Sequence, residues 1–203
     1  MTAVAVFLKY PTPGKVKTRL AATLGAGEAA TYYSKMVHWV WENALKDLPS
    51  HRFTIYFFCD PYQSLTDYKT LYQMPGTYCL QEGSDLGARL QNCVSSLFKA
   101  HDAVIVIGTD CIEIDSFLIE EAHNELHQGR ELVLGPAHDG GYYLIGLTQQ
   151  CPGLFSGMAW STSTVFQETV KRAEIAGLKY HFLKTLSDID TEDDLKTSPL
   201  GCN

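Results

Sequence analysis

"AVIVIGTDC" occupies residues 103–111 and is the clearest strand in the chain, an unbroken apolar run that ends in an aspartate. A run without alternation suits a strand covered on both faces, which is the habit of parallel sheets. An ionised carboxylate at such a strand end is costly unless it is paired or bound to a metal. Asp110 is therefore a candidate metal ligand. Mg2+ commonly takes one or two protein carboxylates together with phosphate oxygens. A cap for the following helix is the plainer role, but Asp115 is better placed to supply it.

The same alternation of short apolar runs and helical periods continues on either side. "AVAVFLKY", "FTIYFFC", "TYCL", "ELVLG", "GYYLIGL" and "YHFL" read as strands. Helices are expected through Ala29–Ala44, along Leu86, Leu90, Val94 and Leu97, through "SFLIEEAHNEL", over Ser163–Ala176, and at "TEDDL". This pattern predicts one α/β domain over residues 1–203, built on a mainly parallel sheet with helices on both faces.

The totals agree with that reading and remove several alternatives. The chain has 203 residues, 45% hydrophobic and 19% charged, enough apolar material for a substantial core. A formal net charge of −7 argues against a general nucleic-acid-binding face. The six cysteines, Cys59, Cys79, Cys93, Cys111, Cys151 and Cys202, form no CxxC pair. No apolar run approaches the roughly 20 residues that span a bilayer, and the N-terminus lacks a signal-peptide pattern. The expectation is a cytosolic protein with reduced thiols and no membrane partner.

Ligands of open α/β sheets collect beyond the carboxyl ends of the strands. The first strand is followed there by "KYPTPGKVKTRL", residues 9–20, a concentration of positive charge in an acidic chain. Pro11 and Pro13 stiffen the loop, Gly14 permits close backbone approach, and Lys15, Lys17 and Arg19 surround a helix start, where cations are otherwise disfavoured. Pro13, Gly14, Lys15, Lys17 and Arg19 are thus candidate phosphate ligands. A Walker A loop is rejected, since no glycine stands five residues before Gly14 and Val16 follows Lys15.

"SDIDTEDDL" offers Asp188 and Asp190 alike as possible second metal ligands, beside a plain helix cap by Asp190 or Thr191. "PAHDGGYYLIG" is either a simple hairpin turn or the acceptor side of a site, with Asp139 as a general base. In "GSDLGARL", Asp85 and Arg89 are nucleotide-site candidates, although they are spaced to pair with each other and Ser84 or Asp85 can cap the helix. Gly87 in that first turn hints at close packing. Trp160, before a Ser/Thr helix cap in "WSTSTV", is either core or a surface for a sugar or base. Tyr32, Trp39 and Trp41 belong either to the core or to a homodimer face.

The signatures "FLKYPTPGKVKTRL", "QEGSDLGARL", "IGTDC", "LGPAHDGGYYLIGL", "WSTSTV" and "DIDTEDDL" together resemble a bacterial family of GT-A-like proteins, formerly grouped as a domain of unknown function. Members are described as glycosyltransferases, some linked with arsenosugar biosynthesis, and are similar to molybdenum-cofactor and phospholactate guanylyltransferases. The resemblance implies a GT-A, or nucleotide-diphospho-sugar transferase, fold. It implies phosphate contacts from Lys15, Lys17 and Arg19, a Mg2+ or Mn2+ ion on Asp110, and Asp190 as the second metal aspartate. Asp139, Gly140, Gly141 and Tyr142 would lie at the acceptor or sugar side. Asp110-Cys111-Ile112 departs from the DxD triplet of many GT-A enzymes, and Ile112 stands where the family pattern has proline.

The leading expectation is a metal-dependent glycosyltransferase with a nucleotide-sugar donor and a small-molecule acceptor. The alternative is a nucleotidyltransferase that moves NMP from an NTP to a phosphate-bearing small molecule. A nucleotide-binding regulator without turnover is the third.

Overall fold

The computed structural model describes residues 1–201, so Cys202 lies outside the described residues. The chain runs β1 (Thr2–Leu8), α1 (Thr18–Leu24), α2 (Ala26–Val40), β2 (Phe53–Cys59), α3 (Leu65–Tyr72), β3 (Thr77–Leu80), α4 (Leu86–Leu97) and β4 (Ala103–Ile107). It continues through α5 (Ser116–His127), β5 (Leu132–Pro136), β6 (Tyr142–Leu147), α6 (Val165–Ile175), β7 (Tyr180–Phe182) and α7 (Glu192–Thr197). The seven strands form one sheet in the order β3-β2-β1-β4-β6-β5-β7. All neighbours are parallel except β6, which runs antiparallel to both β4 and β5.

The unbroken apolar strands now have their explanation. Along β1, Val4, Val6 and Leu8 enter the core on one face with Val37, Val40, Tyr68, Leu118 and Leu126 of α2, α3 and α5. Ala3 and Ala5 enter the other core, with Leu90, Val94 and Leu97 of α4 and Ala173 of α6. Ile105 and Ile107 of β4 repeat the first choice, Val104 and Val106 the second. Alternate residues face opposite sides, and both sides are covered, so every position of the two strands except Thr2 is apolar.

A third, smaller core decides where the loops go. Leu20 of α1, Ala29 and Met36 of α2, Ile112 after β4, and Ile189 and Leu195 at α7 pack together. Leu20, Ile112 and Ile189 lie within three residues of Lys17, Asp110 and Asp190 respectively. A handful of apolar contacts therefore joins three loops that are far apart in sequence. The Ile189 N–H also donates to the Asp110 carbonyl at 2.9 Å.

Some local readings needed revision. Helix α3 was not expected, although Ser64 caps it and accepts from the Asp67 N–H at 3.2 Å. Its short apolar stripe, Leu65, Tyr68 and Tyr72, is diluted by polar neighbours. Helix α2 continues into a π-helical turn over Trp41–Leu45. Helix α6 begins at Val165 rather than Ser163, and no Ser/Thr side chain caps it. Instead the Thr162 hydroxyl donates to the Ala159 carbonyl at 2.8 Å. The aromatic residues of α2 and its π turn serve packing: Trp41 lies 6.1 Å from Phe57, and the Trp39 indole N–H donates to the Ile112 carbonyl at 3.0 Å. The five described cysteines are free thiols. No helix among the described residues is long and apolar enough to cross a membrane.

At the amino end of β1, Thr2 Oγ1 lies 2.7 Å from His123 Nδ1 and 3.2 Å from His127 Nε2. Burial, reinforced by the neighbouring His127 and Arg52, pushes the His123 imidazole down to about 4. Folding thus favours the neutral ring. Its stabilisation is complete above the unfolded value near 6.5 and is lost as pH falls towards 4. Urea denaturation at pH 7 and pH 4 should show wild type losing about 2 kcal/mol more than His123→Gln. Equal losses would place acid sensitivity elsewhere.

Candidate active site

The loop after β1 is fixed at both ends. The Tyr33 hydroxyl accepts from the Lys9 N–H at 2.9 Å and meets the Thr109 hydroxyl at 3.1 Å, tying the ends of β1 and β4 to α2. A turn closed by the Lys15 N–H on the Thr12 carbonyl at 3.0 Å brings Val16 into the core. Lys17 then adopts a left-handed backbone with φ 46°, uncommon for a residue with a Cβ. This turns its side chain inward, where it is only 4% exposed.

The Lys17 ammonium lies 2.8 Å from Asp110 Oδ1 and 3.1 Å from Asp190 Oδ1. Burial opposes its charge, and the carboxylates of Asp110 and Asp190 more than offset that, so its pKa stands above the ordinary lysine value. Arg19 Nη1 reaches Asp190 Oδ2 at 3.3 Å from an exposed position. Lys15 is exposed and pairs with no carboxylate among the described residues. The three cations expected to line one anion site are thus divided. Lys15 and Arg19 lie outside, and Lys17 is held between the two candidate metal ligands.

The acidic loops converge as the sequence suggested. Thr191, not Asp190, caps α7, in a capping box with Asp194, whose carboxylate also accepts from the Asp190 N–H at 3.1 Å. Asp190 keeps its own carboxylate for Lys17 and Arg19. Asp188 is raised to about 7, first by burial and then by the charges of Asp110 and Asp139, against the opposing pull of Lys17. Asp139 sits in the β5–β6 hairpin with Oδ1 accepting from the Gly141 N–H at 2.8 Å. It is exposed at the rim.

Asp110, Asp188 and Asp190 therefore share the field of one buried lysine, and Asp188, also pressed by the charge of Asp139, is driven towards its neutral form. An excess of hard oxygen donors with too little positive charge suits Mg2+ or Mn2+. Among the described residues, no three His, Cys, Asp or Glu side chains are gathered into a ready-made cage. The cation that Asp110 and Asp190 share in this structure is Lys17. The residues fit a metal by donor chemistry, once Lys17 yields the oxygens.

Other rim candidates are held by the protein's own hydrogen bonds and packing. Asp85 caps α4, accepting from the Ala88 N–H at 2.9 Å, and does not pair with Arg89. Arg89 donates to the Gly83 carbonyl and to Gln81 Oε1, both at 3.3 Å. Gln81 in turn donates to the carbonyls of Phe58 at 2.8 Å and Leu8 at 3.2 Å. Both residues hold the rim together and are committed to the protein itself. Tyr142, expected on the acceptor side, turns inward beneath Trp160, and its buried hydroxyl has no hydrogen bond. The half-buried Trp160 explains Gly87, because a Cβ there would lie 2.7 Å from the indole Nε1 and from the Phe155 carbonyl oxygen. Gln81, Tyr33 and Thr109 were missed by the sequence reading, for their types are unremarkable and only their contacts reveal them.

A seven-stranded sheet in this order, with cations and carboxylates converging at its carboxyl edge, defines a protein of the nucleotide-diphospho-sugar transferase fold. The chain belongs to the DUF2064 family, described as an uncharacterized protein conserved in bacteria, whose model matches residues 47–162. That match includes Asp110 and Asp139 but stops short of Asp190 and begins after Lys17. A crystal structure from Desulfovibrio desulfuricans G20, of a provisionally designated nucleotide-diphospho-sugar transferase, superposes with TM-score 0.88 at 29% identity, covering 98% of this chain and 92% of that one. CMP:2-keto-3-deoxy-manno-octonic acid synthetase in complex with CTP gives TM-score 0.59 at 13% identity, with 96% and 95% covered. The inositol-1-phosphate CTP transferase of T. maritima gives 0.57 at 13% identity, with 97% and 91% covered. The last two show the fold alone. No curated protein matches the chain.

Proposed function

We propose that this protein is a metal-dependent glycosyltransferase that uses a nucleotide-sugar donor and passes the sugar to a hydroxyl of a small molecule. The observation behind this reading is the meeting of Lys17, Asp110 and Asp190 within 3.1 Å of one ammonium, beside the exposed cations of the first loop. Asp110 and Asp190 would hold Mg2+ or Mn2+, with Asp188 as a further ligand. A bound divalent ion supplies Lewis-acid neutralisation of the charge that develops on a leaving diphosphate. Lys15, Lys17 and Arg19 add fixed positive charge on the same phosphates, where the transition state needs it.

Asp139 favours glycosyl transfer. A neutral acceptor hydroxyl needs a base, and Asp139 is an exposed carboxylate fixed on the rim by the Gly141 N–H. An attacking phosphate, already anionic, would not need one. The second reading, nucleotidyl transfer, gains from Asp190, because Asp110-Cys111-Ile112 lacks a DxD triplet and a second carboxylate arrives from a distant loop instead. The named CTP-using neighbours share that possibility through the fold alone.

The products separate the two readings. The protein should be incubated with Mn2+, an acceptor panel, and either nucleotide sugars or nucleoside triphosphates. Release of free nucleoside diphosphate is the expected result. Pyrophosphate release from a triphosphate would replace this reading with the second. Nucleotide binding without either product across the panel would favour a regulator.

A further inference from the structure

We infer that Lys17 occupies the cation position between Asp110 and Asp190, so that the site takes its divalent ion as a complex with a di- or polyphosphate and discriminates against the free ion. This rests on the metal reading above and adds the chemical form of the ligand. The Lys17 ammonium bonds the same Oδ1 atoms, at 2.8 and 3.1 Å, that a metal would require. A divalent ion bonded to those oxygens at about 2.1 Å would stand within a few ångströms of that ammonium and repel it. Asp190 is doubly committed, since its Oδ2 accepts from Arg19 at 3.3 Å. A free ion must therefore displace a resident cation and leave it buried without a partner, which is costly.

A phosphate anion changes that balance. Lys15 and Arg19 are exposed at the same loop and give an incoming anion its first contacts. The loop backbone need not move, because Val16 and Leu20 anchor it in two cores on either side of Lys17. Only the flexible lysine stem has to redirect. With its ammonium taken over by phosphate, both aspartates are released to the ion that the phosphate brings. Each ligand then strengthens the other equally, as linkage requires.

The test is thermal melting of wild type, Lys17→Gln, Lys17→Arg and Asp110→Asn with Mn2+ alone, inorganic pyrophosphate alone in EDTA, and both together. Wild type should respond weakly to Mn2+ alone, and the shift with both should exceed the sum of the separate shifts. Lys17→Gln should gain a clear shift with Mn2+ alone, whereas Lys17→Arg, which keeps the charge, should not. A wild-type shift as large with Mn2+ alone as with both would overturn the inference, and that comparison needs no variant. So would a Lys17→Gln protein that gains nothing from Mn2+ while wild type responds to the pair. No response in any protein, or responses that survive Asp110→Asn, would remove the metal site itself and the inference with it.

Discussion

Asp110→Asn should lower the proposed sugar transfer about 10^3-fold and abolish any metal-dependent stabilisation by nucleotide, while changing the stability of the unliganded protein by no more than about 1 kcal/mol. The split between function and stability follows from the surroundings of Asp110. Its side chain is 51% exposed, so its ion pair with Lys17 is partly screened. Lys17 keeps Asp190 at 3.1 Å when Asp110 is neutralised. The Asp110 charge also helps raise Asp188, so its removal relieves repulsion there. The loss and the relief largely offset one another. Turnover assays and urea denaturation on the same preparation check both halves. Retention of activity within tenfold would remove Asp110 from the metal; a loss of several kcal/mol would make it a structural partner of Lys17.

The fold was legible because its signals are local and repeated. Strands β1, β2 and β4 are covered on both faces, so each shows an unbroken apolar run between helical periods. Helix α3 escaped because its apolar residues are few and its helical identity rests on Ser64 as a cap. The acidic half of the site was legible too, since Asp110, Asp139, Asp188 and Asp190 all follow strand ends. The basic half was only partly so. Lys15, Lys17 and Arg19 look equivalent in sequence, and what separates them is one left-handed residue with φ 46° that sends Lys17 inward. Asp85, Arg89 and Tyr142 show a related ambiguity. Polar side chains beside strand ends serve caps and backbone carbonyls as readily as ligands, and sequence spacing does not distinguish these uses.

What unites the site is an apolar device rather than a polar one. Leu20, Ile112 and Ile189 belong to the small third core, and each lies close in sequence to one member of the Lys17–Asp110–Asp190 group. The carboxylates repel one another and would separate if the loops were free. Burial of those three side chains, at roughly 1.5–3 kcal/mol each, is large enough to hold a repulsive cluster together. The aspartates can thus remain poised for a cation without being its sole reason for meeting.

Gly140→Ala should be the most destabilising single methyl that the site admits, at about 3 kcal/mol or more. Gly140 has φ +89°, a region that costs an L residue roughly 1–2 kcal/mol by itself. A Cβ there would also lie 2.6 Å from the Ser163 Cα and nearer still to its carbonyl oxygen. Those atoms are backbone and cannot rotate away. The Phe166 N–H donates to the Gly140 carbonyl at 2.9 Å, so the start of α6 must shift with any displacement. Gly14→Ala is the matched control. Its φ is +76°, yet nothing lies within 4 Å of the added methyl, so only the same conformational cost of roughly 1–2 kcal/mol applies. Urea denaturation of both variants isolates the clash as their difference. Equal costs would show that the approach of the hairpin to Ser163 is soft. A large difference would show that the turn bearing Asp139 is braced against the first residues before α6, which is the rigidity that Asp139 would need to keep one position as the proposed base.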